Sequence, residues 1–316
     1  MRRVALSWLG GLALAALVLP AGAQTLRLGK DDLQKRANGV LALMSFSIVP
    51  DITTSSLNIG GGGTSTSGST DFYMTQLGGG DTLSKSVPIY LEGVLAGSRY
   101  DPVFVATQGA ETRRIPTKWN SISATGGVGW DFKLTDELKL RPIFNVALGN
   151  VTSDLRAASW YVGQKTGQDI DFLDRGSLNA YGLGGSLMLD YEHYRPGYEV
   201  DVELRYSDIR LRSFDSSAAV RGRATAQSAN LWMRYRAPTG ITLLQRPLRY
   251  VLEATHSEFL GDQRGILGFD RLTSLGLGLE LDSSAYNVIV TRTRLVGRYV
   301  FGNNVSGFSV GLAVSF

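Results

Sequence analysis

Residues 308–316 read FSVGLAVSF, and strict alternation puts Phe308, Val310, Leu312, Val314 and Phe316 on one face of an extended strand. Successive side chains of a strand point to opposite faces, so the other face carries only Ser309, Gly311, Ala313 and Ser315. A large apolar face opposed to a small one suits a half-buried strand of a sandwich. It also suits a stave of a barrel whose outer face meets lipid. The rest of the chain has to choose between them.

At the other end, Arg2 and Arg3 precede an apolar run from Val4 to Leu19, and Ala21, Gly22 and Ala23 fit a small-residue cleavage site. This pattern is a secretory signal peptide over residues 1–23, with cleavage expected after Ala23. No Cys follows it, so neither a lipid anchor, a disulfide scaffold nor a thiolate metal site is available. No later segment supplies the roughly 20 uninterrupted apolar residues that a membrane-spanning helix needs. The chain is therefore expected to be exported without a helical anchor. A net charge of +4 over 316 residues, with no basic-aromatic module, gives no reason to expect a nucleic-acid partner.

Read backwards, the chain divides into segments long enough to cross a bilayer as tilted strands, about 9 to 11 residues being sufficient. Strands are expected over 304–316, 285–301, 270–282, 246–259, 223–237, 198–212, 177–191, 138–151, 119–133 and 82–99, with two weaker ones over 70–78 and 51–59. Short turns are expected at 282–285, 237–246, 192–197, 135–137 and 78–81. Longer loops are expected at 260–269, 213–222, 152–176, 100–118 and 60–69, with a tight turn at Gly302 and Asn303. Turns and loops alternate throughout, as the periplasmic and extracellular ends of an outer-membrane barrel require. The expected fold is all-β, a transmembrane antiparallel barrel of about twelve strands spanning residues 51–316.

The faces carry the physical argument. In 198–212, Tyr198, Val200, Val202, Leu204 and Tyr206 share one side, and Glu199, Asp201, Glu203 and Arg205 share the other. An Arg facing lipid at the bilayer midplane costs about 2 to 4 kcal/mol, so the charged side must face a lumen. By the same parity the lumen is expected to hold Glu92, Asp131, Asp190, Glu253 and Glu280. Its bases are expected to be Lys133, Lys139, Arg141, Arg234, Arg236, Arg249, Arg292, Arg294 and Arg298. Tyr191, Tyr198, Trp130, Phe132, Tyr235, Tyr250 and Phe316 suit the interfacial girdle at the turn end.

Residues 24–50 differ from the rest. Asp31 or Asp32 offers a helix cap, and Leu33, Ala37, Val40, Leu41 and Met44 recur at helical spacing, although Asn38 and Gly39 interrupt them. The segment reads as a helix or irregular stretch in or beneath the lumen, or else as a lengthened first strand with SFSIV opening it.

A C-terminal aromatic on an alternating last strand resembles the assembly signal of bacterial outer-membrane barrels. Together with the signal peptide, a brief helical lead and twelve strands, residues 30–316 resemble the translocation domain of an autotransporter standing without a passenger. The resemblance implies location in the cell outer membrane, and delivery by periplasmic chaperones to the barrel-assembly machinery. It also implies a monomer among outer-membrane lipids, with Phe308, Val310, Leu312, Val314 and Phe316 as assembly signal.

The motifs name no chemistry. His193 falls in a short turn, while His256 shares the outward parity of Leu252 and Ala254. Neighbouring Ser257 points inward, so the two cannot pair simply. The glycines at 60–63 lack the Lys and helix of a phosphate loop, and two histidines without an acidic cluster do not make a metal site. No catalytic, cofactor or metal-binding residue is assigned. The favoured reading is a barrel with a narrow or plugged polar lumen and no enzymatic activity; a small-solute channel and an outer-membrane hydrolase are the alternatives. Arg210, Arg212, Arg221 and Arg223 gather around one outer loop and are candidate contacts for lipopolysaccharide phosphates.

Overall fold

The computed structural model describes residues 30–49, 56–61, 71–101, 103–108, 111–116, 118–153, 177–214, 222–284, 291–303 and 305–315. The signal peptide, Arg221, Ile289 and Phe316 lie outside them, as do most residues of the long loops.

One helix, α1 (Lys30–Ile48), precedes a β1 (Ser56–Gly61), β2 (Asp71–Thr82), β3 (Ile89–Asp101) meander. A separate hairpin, β4 (Val103–Gln108) and β5 (Glu111–Pro116), follows. The wall resumes with β6 (Trp119–Trp130), its short continuation β7 (Phe132–Lys133), β8 (Leu138–Ser153), β9 (Ser177–Arg195) and β10 (Tyr198–Phe214). It finishes with β11 (Arg223–Leu243), β12 (Arg246–Gly261), β13 (Arg271–Asp282), β14 (Arg292–Gly302) and β15 (Val305–Ser315). Every neighbour pair is antiparallel, β6 pairs β8 across the β4–β5 insertion, and β1 pairs β15. The result is a closed barrel of twelve staves, with β7 prolonging β6. Each stave of the wall thus has a neighbour on both sides among the described residues, as a wall meeting lipid requires.

Four expected connections are corrected. The turn placed at 192–197 narrows to Pro196 and Gly197, because β9 runs on to Arg195 and carries His193 in its ladder opposite Val200. The turn placed at 78–81 lies within β2, and the chain reverses instead over 83–88, where Leu83 donates to the Ile89 carbonyl at 2.9 Å. The turn placed at 237–246 is mostly strand: β11 runs on to Leu243 through a register shift between Pro238 and Thr242. The reversal is then made by Leu244 and Gln245, both at positive φ (52° and 62°). The loop at 100–118 contains the β4–β5 hairpin.

Parity around the wall follows the sequence. Leu204, Leu277, Leu295, Phe308, Val310, Leu312 and Val314 are all exposed on the outside, while Glu199, Asp201 and Arg205 are buried on the inside. At the turn end, Tyr191, His193, Tyr198, Tyr235 and Tyr250 form a continuous row of rings, with successive centroids 5.6 to 6.2 Å apart. Such amphipathic rings belong at headgroup depth.

Helix α1 lies inside the barrel, in the half nearer the long loops. Val40, Leu41, Ala42, Met44, Phe46, Ile48 and Val49 are all buried. A helix apolar on every side requires partners on every side. Val40, Leu41 and Met44 pack on the inner faces of β8 to β11, including Ala147, Ile209 and Ala224. Phe46 packs the opposite way, its ring 4.8 Å from that of Phe259 and 6.0 Å from that of Phe269. The SFSIV stretch therefore ends the helix and does not open a strand. Ser45 and Ser47 donate back to the carbonyls of Ala42 and Met44, at 2.5 and 2.7 Å. The wall satisfies the last carbonyls: Thr125 Oγ1 donates to Ile48 (2.8 Å) and Ser123 Oγ to Ser47 (3.0 Å).

The outward parity of β10 gives a direct test. Leu204→Arg should destabilise the barrel by about 2 to 4 kcal/mol, read from urea unfolding in phospholipid vesicles. An unchanged midpoint would place Leu204 away from lipid.

Candidate functional site

Below the helix, toward the short turns, the lumen is filled by paired charges. Arg236 is at the centre: its Nη2 lies 2.6 Å from Glu199 and 3.1 Å from Asp201, and its Nη1 lies 3.2 Å from Glu280. Glu280, with no solvent exposure, also accepts from Arg294 Nε at 2.9 Å. Arg298 is clamped on Glu253 through Nε (2.9 Å) and Nη2 (2.6 Å). Arg249 and Arg292 both reach Glu199, at 2.8 and 2.9 Å. The network thus runs unbroken across β10, β11, β12, β13 and β14.

A second group occupies the far wall. Arg205 grips Glu92 with both Nη groups, at 2.7 and 2.8 Å, and Asn145 adds a third bond to the same carboxylate at 2.6 Å. Arg141 pairs with Asp131 and Asp190 and stacks 3.9 Å over the Tyr90 ring. Glu203 faces inward in register with Asp190. Small residues make room for these long side chains. A Cβ on Gly311 would come within 2.3 Å of Arg298 Nη1, so the bare face of the last strand is the space that guanidinium occupies.

The other expected site residues divide. Lys133 is not in the lumen; it is exposed at the turn, 2.7 Å from Asp136, because Phe132 and Lys133 lie below the last full turn of the wall. Lys139 lies at the turn-end rim, 2.7 Å from Glu192. Arg210, Arg212 and Arg223 face outward at the loop end and are exposed, with Arg212 directly across from Arg223. His193 joins a turn-end cluster, with Nδ1 2.9 Å from Glu137 and Nε2 3.3 Å from the Tyr198 hydroxyl. The bond from His193, assisted by Arg195, holds the Glu137 carboxyl below the usual range, so it stays ionised where a free Glu would protonate.

His256 faces outward, as parity requires, and Ser257 is buried inside. The structure supplies what the sequence reading lacked, a cross-strand partner: His256 Nδ1 lies 2.8 Å from Thr273 Oγ1, and Nε2 lies 3.2 Å from Glu258 Oε1. The two strands pair His256 with Thr273 directly, a juxtaposition 17 residues apart in sequence that only the β12–β13 register creates.

No family model and no curated protein matches the chain. Solved barrels do. The β domain of the Bordetella autotransporter BrkA matches at 13% identity and a TM-score of 0.44, over 78% of this chain and 92% of that one. The translocator domain of autotransporter NalP from Neisseria meningitidis matches at 12% and 0.39, over 82% and 85%. LpxR from Salmonella typhimurium matches at 12% and 0.40, over 79% and 89%.

The charge network predicts its own sensitivity. Glu280→Leu removes the buried carboxylate that Arg236 Nη1 and Arg294 Nε share and should cost about 3 to 5 kcal/mol of unfolding free energy. Lys133→Ala, at an exposed pair, should change it by less than about 1 kcal/mol. Equal effects in urea titrations would mean that the lumen is wet.

Proposed function

We propose that the chain is an outer-membrane barrel of the autotransporter-translocator type whose lumen is held closed by helix α1. The observation that carries this reading is the burial of the helix from Val40 to Val49 against opposite walls. Leu267 and Phe269 fold from the loop after β12 into the same apolar layer, so the outer mouth is covered by chain as well as by helix. Beneath it, bridged guanidinium and carboxylate groups cross the space that an aqueous channel would need. Side chains alone fill an eight-stranded barrel, and sixteen strands leave a channel open. Twelve staves need a filler, and α1 serves as one. In this reading the barrel is a monomer, inserted by the barrel-assembly machinery.

Conductance across planar lipid bilayers tests the plug. The mature protein should show no stable current, and removal of residues 24–50 should produce one. Gly149→Leu should act in the same direction without truncation, because a Cβ there would sit 2.7 Å from Met44 Sδ and push the helix off its seat. Stable conductance by the intact protein would overturn the plug in favour of a small-solute channel.

A second observation supports a lipid partner. Arg212 and Arg223 are like charges directly opposed across strands, a destabilising arrangement unless an anion lies between them. With Arg210 they form an outward cationic patch at the loop end, without an ion pair among the described residues, and phosphate suits guanidinium geometry. Arg210→Ser with Arg212→Ser should reduce the lipopolysaccharide that co-purifies with the protein. Undiminished retention would remove the patch from the account.

A further inference from the structure

The outer faces of β12 and β13 change character at one level. Leu248, Tyr250, Leu252 and Ala254 on β12, and Leu275, Leu277 and Leu279 on β13, are apolar. The next outward residues toward the loops are His256, Glu258, Thr273 and Arg271. His256 and Thr273 are thus the first polar pair above the lipid-facing belt. A lipid held against this wall carries its acyl esters at that level, where hydrocarbon gives way to headgroup.

The three side chains are joined in an order that has chemical consequences. An ionised Glu258 can only accept a hydrogen bond, so in the neutral ring its contact at Nε2 places the proton there. Nδ1 is then left as the acceptor for the Thr273 hydroxyl at 2.8 Å. A hydroxyl, an imidazole poised to take its proton and a carboxylate fixing the tautomer are the working parts of nucleophilic acyl transfer. Arg271 lies two residues above Thr273 on the same face. Its Nε is held by Asn303 Oδ1 at 2.8 Å, while its Nη groups have no partner among the described residues and face the headgroup level.

We infer that Thr273, His256 and Glu258 form an acyl-ester hydrolase site on the outer wall, acting on a phosphorylated lipid of the leaflet at the loop end. Thr273 Oγ1 attacks the ester carbonyl as its proton passes to His256 Nδ1. The ester C–O bond breaks, and the departing alcohol takes that proton and leaves as the deacylated lipid. Water then attacks the acyl-threonine as His256 again accepts a proton; the Oγ1–acyl bond breaks, His256 returns that proton to Thr273 Oγ1, and the fatty acid is freed. Thr273 and His256 are the catalytic residues; Glu258 is a positioning residue. Leu275 below offers the acyl chain an apolar bed, and Phe301, in register with Thr273, closes one side.

The full mature protein, refolded in detergent, is mixed with vesicles of lipopolysaccharide or of phosphatidylethanolamine, and released fatty acid is measured by mass spectrometry. Release from either vesicle supports the site, and the vesicle that reacts identifies the lipid. His256→Ala and Thr273→Val should each reduce release roughly 100-fold or more, and Thr273→Ser should retain it. Glu258→Gln, which can donate to Nε2 and reverse the tautomer, should lower kcat with little change in KM. All these side chains lie outside the barrel, so each variant should keep the wild-type heat-dependent gel shift that reports a folded barrel. No release from either vesicle by the wild type, or release that survives His256→Ala in a folded barrel, would overturn the assignment.

Discussion

Hydrocarbon offers no partner to a backbone amide or a guanidinium, and that single constraint organises the molecule. The wall turns its apolar side chains outward, and strands that meet hydrocarbon must close so that their backbone groups pair with one another. Closure turns the usual globular order inside out. Leucines face outward, and the groups that cannot face lipid are gathered within. Twelve strands enclose more space than their own side chains fill, so the interior has to be built from something longer. The chain uses arginines, whose planar forks reach carboxylates on neighbouring staves, and a helix borrowed from its own N-terminal lead.

The interior is correspondingly divided. On β10 the inward positions run Glu199, Asp201, Glu203 and Arg205, then Ser207, then Ile209 and Leu211. On β11 they run from Arg236 and Arg234 to Ala226 and Ala224; on β14, from Arg294 and Arg298 to Val300. On these staves the last inward charge is followed, toward the loop end, by small and apolar residues, where the end of helix α1 fills the lumen. This change was present in the sequence, on the parity already used to find the charges. Parity alone does not single it out, because alternation says which way a residue points and not where along the stave the charges stop.

Other features were legible or hidden for equally local reasons. The staves themselves were clear because charge and apolarity alternate so strictly along segments such as 198–206. The β11–β12 reversal was hidden because Leu244 and Gln245 adopt a left-handed turn usually made by Asn and Gly, while Pro238 and Gly240 advertise a turn where the ladder only shifts register. The helix was half legible. Val40, Leu41 and Met44 gave the spacing, but one-sided amphipathicity was the wrong template for a segment with a wall on every side. The His256 and Thr273 pair was not legible at all. Parity says which way each residue points, but the partner across the gap depends on register, which one-dimensional alternation does not contain.

The two layers of the interior also bear on where chemistry can occur. Among the described residues, the lumen is packed by Phe46, Phe259 and Phe269 at one end and crossed by Arg236 at the other. Most of its carboxylates are paired with guanidinium groups, and releasing one would leave its partner buried without a counter-charge. With the lumen closed as proposed, the rims and the lipid-facing wall remain to meet another molecule. Polar groups are costly on that wall except at the headgroup level, so a hydrogen-bonded hydroxyl, imidazole and carboxylate at that level is where the physics permits reactivity. If helix α1 closes the lumen as proposed, the packing that denies the barrel a channel also directs any reaction to its outer surface.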